Sequence, residues 1–95
     1  RYAVQVRVTP HFVAWLPVLL GRFLPEDFEA VRANREADAP LTLTLTFESL
    51  EEARGHLLTC GGGVEVLAPR ALRCSLIDYA EQILRRYAEK SKTTK

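Results

Sequence analysis

Leu41-Thr42-Leu43-Thr44-Leu45-Thr46-Phe47, followed at once by Glu48-Ser49-Leu50-Glu51-Glu52, is the stretch that decides how this chain folds. Apolar and polar residues alternate strictly from Leu41 to Phe47, the period of a strand with one buried face. The leucines and Phe47 should therefore point into a core and the threonines away from it. Ser49 and Glu52 have capping-box spacing, so a helix opens there, with Leu50, Ala53, Leu57 and Leu58 at helical intervals. The run Gly61-Gly62-Gly63 ends that helix in the left-handed conformation and turns the chain into a short strand, Val64-Glu65-Val66-Leu67. Pro69 then starts a long helix with Leu72, Leu76, Tyr79, Ala80, Ile83 and Tyr87 on one stripe, and residues 91–95 read as a disordered tail.

Upstream of this stretch, Tyr2, Val4, Val6 and Val8 alternate with Ala3, Gln5 and Arg7, which makes a second half-buried strand. Thr9-Pro10 supplies an N-cap and a first-turn proline for a helix through Leu16. Pro17 should kink or end that helix before Val18 to Leu20 carry it to Gly21. Pro25 interrupts the next segment, and Phe28-Glu29-Ala30-Val31-Arg32 reads as a short edge strand or as a helical turn; Asn34 to Pro40 is turn-prone. With the strand reading, the chain is an α+β domain: a ferredoxin-like βαββαβ open antiparallel sheet with an added C-terminal helix, spanning residues 1–90. The first and third strands would be central neighbours. Helices would cover one face and leave Gln5, Arg7, Thr42, Thr44 and Thr46 on an open polar face.

Ninety-five residues enclose one core, and 47% apolar with 26% charged residues is an ordinary globular composition. A formal net charge of +1 argues against a grip on nucleic acid by bulk charge alone. Ten of the thirteen basic residues are Arg, suited to bidentate contact with phosphate or carboxylate, although high-GC coding gives the same count. Cys60 and Cys74 are too few for a disulfide framework and do not have ligand-pair spacing, so reduced thiols in the cytoplasm are expected. No stretch has the length of a membrane span. The sequence lacks an initiator Met and starts directly in a strand, so it is expected to be a piece of a larger protein.

Little here points to catalysis. His11 and His56 fall on different elements with no Cys, Asp or Glu at ligand spacing, and both read as surface residues; no metal, no catalytic residue and no cofactor is expected. The glycine run follows a helix instead of opening one, and no Lys-Ser/Thr comes after it, so it is not a phosphate cradle. Cys60 and Cys74 read as buried, inert thiols, and Gly55 inside its helix suggests close approach of helix to sheet.

Two features remain for binding. His11 to Leu20 is apolar nearly all round, and Phe12, Trp15 and Leu19 cannot share one core face with Val13, Leu16 and Leu20. Either Phe12, Trp15 and Leu19 are buried against another domain or chain, the favoured reading, or the helix is sunk in a tight core under the long C-terminal helix. Arginines supply the second feature. Arg7 belongs to the open sheet face, while Arg70 and Arg73 lie one turn apart at a helix N-terminus, where an anion would offset their unfavourable interaction with the helix dipole. Arg7, Arg70 and Arg73 are thus the candidate ligand-binding residues, each also readable as a solvated surface charge.

From Leu50 through Leu57-Leu58 to Gly61, and on through Val64-Glu65-Val66-Leu67-Ala68-Pro69 to Leu72-Arg73, the sequence resembles the C-terminal extension (WCX) domain of bacterial WYL-domain transcription regulators. In that family a helix ends in a leucine pair and a glycine, followed by a V-x-V-L-x-P strand and a helix opening on Leu-Arg. The resemblance implies WYL and helix-turn-helix DNA-binding domains in the same protein, a homodimer, and response to an effector such as single-stranded nucleic acid. The WYL motif itself is absent, so no ligand residue of that motif carries over; Cys60 and the very apolar first helix depart from the usual pattern. The alternative is a stand-alone ligand-binding domain of ferredoxin-like fold for a small anionic effector. An RNA-binding sheet of the RRM type is disfavoured, because its open face would carry aromatics where this chain has Thr and Arg.

Overall fold

The computed structural model describes the backbone of residues 1–93 and the side chains of residues 1–88, so the expected tail at 91–95 lies outside the described side chains. Among the described residues three strands form: β1 (Tyr2–Val8), β2 (Leu41–Phe47) and β3 (Val64–Ala68). Four α-helices accompany them: α1 (Leu16–Leu20), α2 (Phe28–Asn34), α3 (Leu50–Thr59) and α4 (Arg70–Thr93). Short 3₁₀ segments occupy Pro10–Trp15, Gly21–Phe23 and Gly61–Gly63.

The sheet runs β2-β1-β3 and is antiparallel throughout, with Tyr2 opposite Phe47 and Val8 opposite Leu41 on one side, and Arg7 opposite Glu65 on the other. The β2-α3-β3 crossover therefore brackets β1 as a split βαβ unit. The expected four-stranded ferredoxin-like sheet is not what forms, because Phe28–Asn34 is helical. Phe28 is buried and Val31 half-buried, one helical turn apart, and Arg32 bonds Glu29 at 2.6 Å along the same turn. A strand would have put Phe28, Ala30 and Arg32 on one face. Without it β2 is an edge strand and β1 alone is central.

Alternation in β1 and β2 does what their patterns require. Val4, Val6, Val8, Leu41, Leu43, Leu45 and Phe47 are all buried, and they meet Leu16, Leu20, Ala53, Leu57 and Leu72 from the covering helices in one core. Ala3, Gln5, Arg7, Thr42 and Thr44 are exposed and Thr46 half-buried on the uncovered face. Ser49 caps α3 as its spacing predicts, its Oγ accepting from Glu52 N at 3.1 Å while Glu52 Oε1 accepts from Glu48 N at 2.7 Å. Thr9, in contrast, caps nothing with its side chain, and Pro10–Trp15 is a 3₁₀ segment from which α1 restarts around Pro17.

Two further readings change. Gly55 is not a close-approach residue: it is exposed, with no atom near a position its Cβ would take. The close approach belongs to Gly63, where a Cβ would fall 2.3 Å from Phe12 Cδ1. His56 is no free surface residue but half-buried, its ring 4.7 Å from that of Phe23, which in turn lies 4.4 Å from Phe47.

α4 is the element that sets the outline of the domain. Twenty-four residues of helix extend about 36 Å, whereas a seven-residue strand covers only about 24 Å, so the helix overhangs the sheet. The overall dimensions, 50 × 30 × 21 Å, reflect that overhang. Only the first turns are packed, with Leu72 buried and Leu76 half-buried. Arg54 of α3 fixes the departure angle by donating to Ser75 Oγ at 2.9 Å and lying 4.3 Å over the Tyr79 ring.

Candidate functional site

The three candidate arginines do not converge as a group. Arg7 and Arg73 are brought together by Glu65, which sequence reasoning passed over: Arg7 Nη1 lies 3.2 Å from its Oε1 and Arg73 Nη1 lies 3.9 Å from its Oε2. Glu65 faces Arg7 because the two are directly opposed in the β1-β3 ladder, on the uncovered face. Arg73 has a second engagement, donating to the Val66 carbonyl at 2.6 Å on the outer edge of β3. The start of α4 is thereby tied to the sheet edge. Arg70 is exposed and has no ion pair among the described residues. A carboxylate thus already occupies the position between Arg7 and Arg73 that an effector anion would take, and only Arg70 is uncommitted.

Beside this network, α4 diverges from α3 and β3 and leaves an open apolar cleft of about 460 Å³. Leu57, Leu58 and Val64 form one wall, Leu76, Ala80 and Ile83 the other, and Glu65 and Arg73 stand at its polar end. The cleft exists because β3 is short and α4 is long.

Apolar exposure is concentrated in two places. On the first helical segment the expected partition holds, with Val13, Leu16 and Leu20 buried while Trp15 is 57%, Val18 75% and Leu19 40% exposed. Phe12 differs from Trp15 and Leu19 in being half-buried on Gly63. Along α4 past Leu76, Ile77, Tyr79, Ile83, Leu84 and Tyr87 are all exposed. So the first helix is not roofed by the last one, and past Leu76 the stripe on α4 is not core. A signal for this was present in the sequence, because a helix stripe running from Leu72 to Tyr87 is longer than the strands it could pack on.

Among the described residues no group of three His, Cys, Asp or Glu could hold a metal ion, and no helix is long and apolar enough to cross a membrane. Cys60 is buried as expected, with its thiol pKa pushed up by burial, but Cys74 is exposed on α4, which corrects its reading as a buried thiol.

The matched segment lies in this architecture as a unit: α3 ending at Leu57-Leu58, the glycine turn, β3, and α4 opening at Leu72-Arg73. A family model for the WCX domain matches residues 1–84, from β1 into the projecting half of α4. The chain belongs to the WCX domain family. The match takes in the first helical segment and α2 as well as β2, α3 and β3. WCX domains are regulatory modules of WYL-type regulators and not catalysts. No curated protein and no solved structure matches the chain.

Proposed function

We propose that this WCX domain is the self-association and effector-response module of a bacterial, cytoplasmic helix-turn-helix WYL transcription regulator. The observation that carries the reading is the apolar surface left uncovered in two places, Trp15 with Val18 and Leu19, and the stripe of α4 past Leu76. Isolated exposed apolar residues need no explanation, but contiguous ones on two elements mark surface that is removed from water in an assembly. Trp15 and Leu19 are the contact residues of the first patch, while Phe12 is half-buried against Gly63.

For effector response, Arg70 is the residue free to take an anionic group, with Arg7 and Arg73 available only if Glu65 yields. The Glu65 bridge is solvent-exposed and therefore weak, about 0–1 kcal/mol, so a phosphate of a single-stranded nucleic acid can displace it. The same weak bridge is what a small anionic effector would have to open. A fluorescence titration with labelled single-stranded DNA tests the nucleic-acid version. Salt-sensitive binding that Arg70→Ala abolishes supports it, and no binding at low salt removes that effector for this chain. For self-association, Trp15→Glu should weaken the dimer without altering the circular dichroism spectrum; an equally stable dimer would take Trp15 out of the interface.

A further inference from the structure

The two edges of the sheet differ in how they are finished. On β3 the outer edge is closed: Arg73 donates to the Val66 carbonyl at 2.6 Å, and a register shift opposite Gln5 and Val6 breaks the ladder. β2 has none of this protection, since Leu41 to Phe47 holds no charge and no proline and its register with β1 is unbroken along its whole length. No backbone or side-chain group among the described residues bonds to its outer side.

Which groups point outward follows from the ladder. Thr9 N donates to Gly63 O at 2.9 Å, one step beyond the Val8–Val64 pair, so in β1 the odd-numbered residues address β3 while Tyr2, Val4, Val6 and Val8 address β2. Their partners are Phe47, Leu45, Leu43 and Leu41, which leaves the N–H and C=O groups of Thr42, Thr44 and Thr46 directed outward. Both ends of this free stretch are stopped, because Pro40 has no N–H and Glu48 N already donates to Glu52 Oε1 at 2.7 Å. An edge with this pattern complements itself. When Thr44 lies opposite Thr44 of an antiparallel second copy, Thr42 falls opposite Thr46, and every free N–H meets a free C=O. Centred on Leu43 instead, the pairing would set Thr46 against Pro40; centred on Leu45, it would set Thr42 against the committed Glu48.

We propose that β2 pairs antiparallel with β2 of a second copy about a two-fold axis at Thr44, joining the two sheets into one. In this register the exposed threonines meet threonines on the open face, and Leu43 meets Leu45 and Leu41 meets Phe47 on the buried face, with no charge in the paired stretch. The pairing uses the same strand edge on both chains and closes on itself, so it stops at two copies. The proposal rests on the self-association reading for the existence of a dimer and adds to it a strand-to-strand contact, its orientation and its register.

Thr44→Cys and Thr42→Cys, each in a Cys74→Ser background, decide it on oxidation with copper phenanthroline; Cys60 is buried and stays out of the reaction. Across the axis the two Cα atoms at position 44 would be about 5.5 Å apart, within disulfide reach, and those at position 42 about 15 Å apart, outside it. Both positions are exposed, so the variants should keep the circular dichroism spectrum of the parent. The expected result is a covalent dimer of Thr44→Cys and none of Thr42→Cys. In the parent, hydrogen exchange at the amides of Thr42, Thr44 and Thr46 should be slow only at concentrations where the chain is dimeric. A parent dimer in which those amides exchange as fast as at monomeric dilution, or in which Thr42→Cys cross-links to itself as readily as Thr44→Cys, overturns the edge pairing and leaves self-association standing. A parent that is monomeric at every concentration overturns both.

Discussion

Gly63→Ala is the substitution for which the structure makes the sharpest demand. The new methyl carbon would fall 2.3 Å from Phe12 Cδ1, 2.5 Å from Cγ and 3.0 Å from Cβ. A flexible side chain can swing its far end away, but a clash that reaches Cγ and Cβ obliges the whole ring, or the Pro10–Trp15 backbone behind it, to move. That backbone is held by Thr9 N donating to Gly63 O at 2.9 Å, so displacement strains the same junction from both sides. Overpacking of this kind costs about 1–3 kcal/mol, and in a domain of this size each kcal/mol lowers Tm by about 4–8 °C. The neighbouring glycines separate this cause from others. Gly61 sits at φ +58 and should cost about 1–2 kcal/mol as Ala for backbone reasons alone, whereas Gly62 has open space and no left-handed requirement and should cost almost nothing. Thermal unfolding followed by circular dichroism, on the three single variants and on Gly63→Ala in a Phe12→Ala background, reads all of this. The penalty at Gly63 should largely vanish when Phe12 is already Ala. A Gly63→Ala protein as stable as its parent, or one that loses equally in both backgrounds, would refute the packing of Phe12 on Gly63.

Gly55→Ala should stabilise the domain by about 1 kcal/mol, because the position is mid-helix in α3 and open to solvent; a loss of Tm would mean that something packs there. Arg73→Ala should cost about 1 kcal/mol in urea unfolding, through the lost bond to the Val66 carbonyl, while Arg70→Ala should leave stability within about 0.5 kcal/mol. Equal costs would deny Arg73 its anchoring role. Burial raises the folded-state pKa of Cys60 above its unfolded value, so its contribution to stability is complete below the ordinary thiol range and is lost as pH rises through it. Tm should therefore fall more steeply under alkaline conditions for the parent than for Cys60→Ala, and a thiol reagent should modify exposed Cys74 long before Cys60.

What could be read from the sequence was what depends on local pattern. The Leu-Thr alternation of β2 fixed its buried face, Ser49 and Glu52 fixed the start of α3, and the crowding of Phe12 to Leu20 divided Val13, Leu16 and Leu20 from Trp15 and Leu19 correctly. The errors arose where one pattern fits two structures. Phe28 and Val31 one turn apart, with Glu29 and Arg32 on the same spacing, are as regular for a helix as Phe28, Ala30 and Arg32 are for a strand, and the segment is helical, with Arg32 pairing to Glu29 along its own turn. The stripe on α4 marks a face to be covered without saying what covers it, so overhang had to be seen in three dimensions. Glu65 is invisible as a functional residue in the sequence, since its role comes only from lying across the ladder from Arg7 and beside the start of α4. Gly55 and Gly63 look alike in one dimension. Only the path of Pro10–Trp15 over the glycine turn tells them apart.

Light scattering coupled to size-exclusion chromatography, on this chain across a wide concentration range, bears most directly on its role as an assembly module. The expected result is a concentration-dependent rise to twice the 10.7 kDa of one chain. A mass that stays at 10.7 kDa to millimolar concentration would contradict self-association by this domain.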